Sequence, residues 1–181
     1  MTPLPDDDVL SVDDVVAEFQ GALREHARPN AGKLVGLLLE LHDTNLTQWS
    51  FEDRVHSPGV DNATIAQAKE AIDRLNARRH QLIEEIDTAI DSAMLQVPSA
   101  TPATESPAMV FDRLSVLVIR IHHTELAVGA DGSEDQRYAA RLPVLYRQLA
   151  VLQEALDALL ADVREGRRRF VPYQSLKLYA Q

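Results

Sequence analysis

The residues of this chain that could do chemistry are concentrated in one stretch, from Asn62 to Leu95. The stretch contains no proline or glycine and is rich in residues that favour helices. Its apolar residues recur at spacings of three and four, which is typical of a helix with one buried side: Ile65, Ala68, Ile72, Leu75, Leu82, Ile86 and Ala89. Arg79 stands where this series requires a further apolar residue. The pattern predicts a guanidinium group on the core-facing side of a long helix.

Polar residues also follow the border of that apolar series, at Lys69, Asp73, Asn76, His80 and Asp87. A second polar series is predicted on the preceding helix, about residues 31–56, whose inward side changes from leucine to His42, Asn45, Trp49, Glu52 and Asp53. In one interpretation these groups form an internal network in which Arg79 pairs with Glu52 or Asp53. In the other they line a pocket, where the cationic groups bind an anion and the carboxylates bind a cation or a hydroxyl-rich ligand.

A fourth predicted helix adds Asp112 and Arg113 just before its apolar run, LSVLVIRI. Asp112 suits the positive end of a helix dipole. Arg113 shares a face with Arg120, so a salt-bridged inner face and an anion site both remain open. The candidate ligand-binding residues are therefore Trp49, Glu52, Asp53, Lys69, Asp73, Asn76, Arg79, Asp112 and Arg113.

Several kinds of chemistry find no support in the sequence. There is no cysteine, no Gly-x-Ser-x-Gly elbow, no Walker A loop and no dinucleotide fingerprint. The Glu-x-x-His pairs of di-iron bundles are also missing, and we expect no metal site. One alternative is a magnesium-dependent enzyme acting on a nucleotide or sugar phosphate, for which Glu84, Asp87 and Asp91 have helical spacing. The sequence identifies no catalytic residue and no cofactor.

Charge and hydropathy restrict the partners. The 18 Lys and Arg residues against 28 Asp and Glu residues give a net charge of −10, which disfavours nucleic acid and anionic membranes. The run from Arg167 to Arg169 is a local exception. No apolar run approaches the ~18 residues of a membrane span, and the acidic first residues are unlike a signal peptide. We therefore expect a cytoplasmic protein.

The predicted fold is all-α, with four long helices in an antiparallel bundle and a shorter N-terminal helix beside them. The chain forms one domain, 1–181, in which residues 1–10 and 166–181 are loosely ordered or docked tails. The last helix carries a leucine seam from Tyr138 to Val163, expected to be core or a dimer interface, and Pro143 predicts a kink or a new helix start within it. We expect a homo-oligomer, most simply a dimer.

Four segments resemble a bacterial family, domain of unknown function 4254: QWSFED, KEAIDRLNARRHQLIEEID, TESPAMVFDRLSVL and PYQSLKLYAQ. The matching positions include Gln48, Ser106, Pro107 and Ser115 as well as the candidate residues. The sequence departs from the family pattern at Ala77 and Gln81, on the outer side of the third helix. The resemblance implies an accessory or ligand-binding role linked to glycosyl transfer or cell-envelope polysaccharide pathways.

These observations lead to one hypothesis and two alternatives. The hypothesis is a helical protein with a polar pocket for a small anionic or hydroxyl-rich ligand, in which Arg79 and Arg113 contact the anion. The alternatives are the magnesium-dependent enzyme and a scaffold that docks on a glycosyltransferase-type protein through the leucine seam or the C-terminal tail.

Overall fold

A computed structural model of the protein describes residues 11–24, 32–130 and 136–176, and within these ranges the fold is all-α, as predicted. The helices are α1 (Val12–Ala22), α2 (Lys33–Val55), α3 (Asn62–Ala93), α4 (Pro107–Ala130), α5 (Gln136–Ala139) and α6 (Leu142–Arg164). Two short strands, β1 (Thr101–Pro102) and β2 (Arg168–Arg169), pair in parallel. The prediction for residues 1–10 lies outside the described ranges.

Local capping signals explain where the helices begin. The Ser11 hydroxyl accepts a hydrogen bond from the Asp14 amide at 3.3 Å, and the Asp61 carboxylate accepts one from the Thr64 amide at 2.7 Å. Pro143 lies in the first turn of α6, where the missing proline N–H costs nothing, so a new helix begins there after the short α5. The two alternatives for Pro143 are thereby resolved in favour of a new start.

Helix α4 lies at the centre of the packing, since it contacts α1, α2, α3 and α6. Its buried apolar residues are Ala108, Val110, Phe111, Leu114, Leu117, Val118, Ile119 and Ile121, and five of these lie in the apolar run LSVLVIRI. On α6, the seam residues Leu145, Leu149, Leu156 and Val163 are buried in the same core. Because the seam packs against the chain's own core, it is core rather than a free surface. No helix of the described residues has the length and apolarity needed to cross a membrane.

The hairpin of α2 and α3 is buried at one end only. The last buried residue of α2 is Asn45. In α3, the buried residues other than Ala68 begin at Leu82. Among residues 46–81, all of which are described, Ala68 alone is fully buried. We call residues 46–75 the outer hairpin: its large apolar side chains are half-buried and its charged ones are exposed.

The chain after α6 forms an extended segment, residues 167–176, which we call the C-terminal strap. The turn into it needs glycine, because Gly166 has φ +71° and a Cβ there would lie 2.8 Å from a Val97 methyl group. The strap then pairs with β1, and the Ala103 amide donates to the Arg169 carbonyl at 2.7 Å. Phe170 is only 3% exposed, so the strap contributes a side chain to the core.

Candidate functional site

The predicted charged group of α3 does face inward, but its partner is on α4. Arg79 donates from Nε to Asp112 Oδ1 at 2.7 Å and from Nη2 to Oδ2 at 2.5 Å, a bidentate ion pair. The Asp112 side chain is 6% exposed and that of Arg79 is 29% exposed, so the pair spans the boundary between core and solvent. The hydrogen bond to Asp112 raises the pKa of Arg79 most strongly, and burial opposes it. The expectation that Arg79 pairs with Glu52 or Asp53 is wrong.

Helix α2 completes a network around the buried carboxylate. Asn45 donates from Nδ2 to Asp112 Oδ1 at 3.0 Å and to Ser115 Oγ at 3.1 Å. Ser115 Oγ lies 2.9 Å from His42 Nδ1, and the His42 ring stacks on Phe19 of α1 with ring centroids 4.6 Å apart. The network therefore joins α2, α3 and α4 through side chains, as the interpretation of an internal network expected, although the partner of Arg79 differs.

The histidine at the end of this network is neutral at neutral pH. His42 is 1% exposed, and burial lowers its pKa from 6.5 to about 4, against a smaller effect of the Phe19 backbone. Since Ser115 already accepts a hydrogen bond from Asn45, its own hydroxyl hydrogen can be donated to His42 Nδ1. A neutral His42 thus fits the hydrogen-bond directions as well as the burial.

A second buried carboxylate holds the C-terminal strap against α3. Asp87 is fully buried and accepts hydrogen bonds from the backbone amides of Ala108, in the first turn of α4, and Tyr173, both at 2.9 Å. Burial is the largest effect on the pKa of Asp87, and it raises that pKa. Glu84 accepts from the Ser175 amide at 3.2 Å, and Gln96 accepts from the Phe170 amide at 2.6 Å. The acidic side of α3 therefore binds an extended segment of its own chain.

The strap reaches the neighbourhood of Arg79. The Tyr173 hydroxyl lies 2.5 Å from His80 Nδ1, and the two rings are 5.6 Å apart at 26°. Tyr173 is also close enough to Arg79 to influence its pKa. Tyr173 was not among the residues predicted from the sequence, because the strap is distant from α3 in sequence.

Most of the other predicted site residues lie further out than expected. Glu52, Asp53, Lys69 and Asp73 are exposed, and Asn76 is half-buried. Among the described residues, none of these four exposed groups forms a salt bridge. The reason is that they belong to the outer hairpin, where the apolar periodicity continues but no third helix covers it fully. The expectation that these acids pack inward among leucines is wrong for Glu52, Asp53 and Asp73.

Arg113 is also exposed and pairs with Glu105, 2.6 Å away, rather than facing the core. It follows Asp112 directly on α4, and consecutive helical residues point about 100° apart. Since Asp112 points inward, Arg113 points away from the Arg79 network. Arg113 therefore does not join Arg79 in an anion site on the inner face of the helices.

Trp49 has an aromatic partner that the sequence did not reveal. Its ring stacks on His123 of α4, with centroids 5.1 Å apart and an angle of 11° between planes. His122 meets His123 edge-on at 5.6 Å. Burial lowers the pKa of His123, while the carboxylate of Asp53 acts in the opposite direction. The buried atoms Gln48 Oε1, Trp49 Nε1 and His123 Nε2 have no hydrogen-bond partner among the described residues.

The acidic residues considered for magnesium are engaged by the protein itself: Glu84 and Asp87 bind the strap, and Asp91 accepts a hydrogen bond from the Gln96 side chain. In the described part of the chain, no three His, Asp or Glu side chains are grouped as a metal site would need. A cleft of about 120 Å³, open to solvent, is lined by other residues: Gln20, Leu23, Arg24, Val118, Ile121, His122, Glu125 and Tyr146.

Comparison with known proteins identifies the family and little else. The family described as "protein of unknown function (DUF4254)" matches residues 36–171, about three quarters of the chain. No curated protein and no solved structure matches. The matched range contains the Arg79–Asp112 network and the Trp49–His123 stack. The chain belongs to this family.

Proposed function

Taking this family membership as the premise, we propose that the protein is a bacterial cytoplasmic accessory protein that binds a small anionic or hydroxyl-rich ligand between α2, α3 and α4. The Arg79 guanidinium carries the proposal. Arginine has five N–H groups, and the two bonds to Asp112 leave three of them for other acceptors. Because the side chain is 29% exposed, these donors are accessible from solvent.

The buried network gives this guanidinium a fixed orientation. Asp112 holds it by two bonds and is itself held by Asn45, so the donors left over are preorganised and lose little freedom on binding. Asn76 precedes Arg79 by one turn of α3 and adds an amide to the same border of the helix, whereas Lys69 adds a cation about 15 Å further along the helix axis. The guanidinium and the amide suit a phosphate or carboxylate group.

The family resemblance suggests glycosyl transfer or cell-envelope polysaccharide synthesis as the setting, and a nucleotide sugar as a suitable probe, because it presents both phosphate and hydroxyl groups. A ligand that binds only the folded protein raises its melting temperature. We expect at least one nucleotide sugar, such as UDP-glucose, to do so for the wild-type protein. No shift over a panel of nucleotides and nucleotide sugars, with and without magnesium, would reject the proposal.

A variant pair separates binding from folding. Arg79→Met combined with Asp112→Leu removes both charges together, which avoids leaving a buried charge unpaired, and it should abolish the ligand-induced shift. The matched control is Arg78→Met. Arg78 is adjacent in sequence, but its guanidinium donates to Glu40 and Glu85, both at 2.8 Å, on another face of α3. Equal loss of binding in both variants would mean that Arg79 has no particular role.

We further propose that residues 1–181 form one domain whose four long helices alternate in direction. Three contacts between neighbouring helices support this: Glu40 with Arg78, Asp87 with Ala108, and Glu125 with Tyr146. In each contact, one residue lies before the connecting turn and the other lies at a comparable distance after it, as expected for two antiparallel helices.

A homodimer is the proposed assembly. Its support is the outer face of α6, where Val144 and Val151 are 56% and 59% exposed. Sedimentation of Val151→Glu tests it, since a charge there should leave a monomer.

Docking on a glycosyltransferase-type partner through the strap is a further proposed role. Its support is the exposure of two apolar side chains of the strap, Val171 at 70% and Leu176 at 81%. Deleting the strap would not test this, since Phe170 is part of the core. Changing Val171 and Leu176 to serine leaves the buried anchors in place, and it should abolish co-purification with such a partner if the strap is the docking surface.

A further inference from the structure

The outer side of α6 carries a second apolar series, separate from its buried leucine seam. Val144 and Val151 are both more than half exposed and lie seven residues apart. Exposed side chains without charge continue the series at alternating spacings of four and three: Gln148, Ala155 and Ala158. These are the spacings at which two helices pack along each other. Helix α6 therefore presents one face to its own core and a second, narrower face to solvent.

The described helices leave this outer face uncovered. Helix α6 packs mainly on α4 and α1, through buried residues that include Leu149 and Leu156. At 100° per residue, Val151 points about 160° away from Leu149 and 140° away from Leu156. Single exposed apolar residues are ordinary, but a row of them at packing spacing marks a contact surface.

Two opposite charges lie along one edge of the outer face. Arg147 and Glu154 are both exposed, and within residues 11–24, 32–130 and 136–176 neither of them forms an ion pair. Their Cα atoms are seven residues apart, about 10 Å along the helix axis, so they cannot pair with each other in one helix. Both charges therefore remain for a partner of complementary charge.

The order of these two charges selects the partner and its direction. In a two-fold symmetric, antiparallel pair of α6 helices, Arg147 can lie opposite the partner's Glu154, and symmetry then creates the same ion pair a second time. The two-fold axis passes near residues 150 and 151, which brings Val151 beside the partner's Val151. A parallel pair would place each charge level with its own copy, an arrangement that repels.

We propose that α6 pairs antiparallel with α6 of a second copy of the chain, with the outer apolar series between the helices and the Arg147–Glu154 ion pairs at its edge. The inference rests on the homodimer proposed above and adds the direction and register of the contact. The small side chains of Ala155 and Ala158 suit it, because the distance between packed helices, roughly 8–10 Å, depends on the side chains between them.

The chain has no cysteine, so a single introduced cysteine reports on one position. In the full-length protein under mild oxidation, Val151→Cys should form a disulfide-linked dimer, because both copies of this residue lie near the two-fold axis. The matched control is Val144→Cys on the same face. Its two copies would be about 20 Å apart along the helix axis, whereas a disulfide requires Cα atoms within about 7 Å.

The other outcomes are distinguishable. Equal linkage of Val144→Cys and Val151→Cys would indicate a parallel pair. A wild-type dimer in sedimentation, without linkage of Val151→Cys, would place the contact on another surface. Either result overturns the inference and leaves the homodimer standing. A protein that sediments as a monomer at every concentration would refute the homodimer and the inference together.

Exchanging the charges tests the register. Arg147→Glu and Glu154→Arg should each weaken the dimer about tenfold, since like charges then meet across the axis. The double variant restores opposite charges, so its dissociation constant should return to within about threefold of wild type. Arg164→Glu makes the same charge change at an exposed position of α6 about 140° from Val151, and should have little effect. A double variant no tighter than the single ones, or an equal loss in Arg164→Glu, would contradict the register.

Discussion

Two adjacent turns of α2 meet α4 in opposite ways. At His42 and Asn45, the polar side chains contact Ser115 and Asp112, and the network extends to Arg79, although His42 Nε2 has no partner among the described residues. At Trp49, about one turn further along, the facing side chain is His123, and the buried Trp49 Nε1 and His123 Nε2 are both unpaired among the described residues. The polar side chains of the same helix therefore join a hydrogen-bond network in one turn and only an aromatic stack in the next. What decides between the two is which residue the facing helix supplies.

The largest expected effect comes from breaking the ion pair between Arg79 and Asp112 in this network. Arg79→Met leaves the Asp112 carboxylate, 6% exposed, without its countercharge, and should lower the free energy of unfolding by about 3 kcal/mol. Adding Asp112→Leu should restore most of this loss, because the buried charge is then absent as well. Urea denaturation of the two single variants and the double variant measures the coupling. If the losses of the single variants simply add in the double variant, the pair is not coupled and the network is not a unit.

The second effect is a pH dependence that arises from His42. Its pKa is 6.5 in the unfolded chain and about 4 in the fold, so between these values the unfolded state binds more protons. Its contribution to stability is therefore complete above pH 6.5 and is lost as the pH falls to about 4, a change of about 3 kcal/mol at 1.4 kcal/mol per pKa unit.

The difference between wild type and His42→Phe isolates this contribution. The variant keeps a ring on Phe19 but does not titrate, so its stability should depend less on pH over this range. Asp87 acts in the opposite sense, since its raised pKa favours the folded state as the pH falls, but it is present in both proteins and cancels. His56→Phe, at an exposed position, is the control. Parallel stability curves for wild type and His42→Phe would refute the assignment.

A smaller effect is expected at the strap. Asp87→Asn replaces a carboxylate that accepts two backbone amides by a group with one acceptor oxygen, and should cost about 1–3 kcal/mol. Hydrogen exchange should show faster exchange of the Tyr173 amide. Glu84→Gln is the matched control, because Glu84 holds only the Ser175 amide near the end of the strap, so the Tyr173 amide should be unaffected. Unchanged protection of Tyr173 in Asp87→Asn would show that the Asp87 carboxylate does not hold the strap.

The smallest effect is expected at the unsatisfied stack. Trp49→Phe removes an N–H that has no partner in the described protein and keeps a ring against His123, so the free energy of unfolding should change by less than about 1 kcal/mol. Thermal and urea unfolding measure this directly. A loss as large as that of Arg79→Met would mean that the indole N–H is satisfied within the protein, and the contrast between the two turns would disappear.

Sequence periodicity predicted the parts of this structure that depend on one helix at a time. The helix class, a break in the leucine seam at Pro143 and the inward position of Arg79 all follow from local patterns. The partner of Arg79 could not be predicted from such patterns, because a helical wheel gives the direction of a side chain but not which helix lies opposite. Asp112 was among the candidate residues, yet it was assigned to a helix dipole rather than to Arg79.

The outer hairpin shows a second limit. The apolar spacing of Ile65, Ile72 and Leu75 is the same as that of Leu82 and Ile86, but only the latter two are buried. Periodicity identifies an inward side and cannot say how far the covering helices extend, so Glu52, Asp53 and Asp73 were wrongly placed inside. His123 and Tyr173 were missed because each acts through a contact between residues distant in sequence.

The account depends most on the donors that Arg79 retains outside its bond to Asp112. A crystal structure of the wild-type protein soaked with UDP-glucose tests this most directly. We predict density for a phosphate oxygen within hydrogen-bond distance of the outward edge of Arg79, with both bonds to Asp112 intact. Density for water alone at that edge, in a protein that UDP-glucose does not stabilise, would show that the guanidinium only holds the helices together.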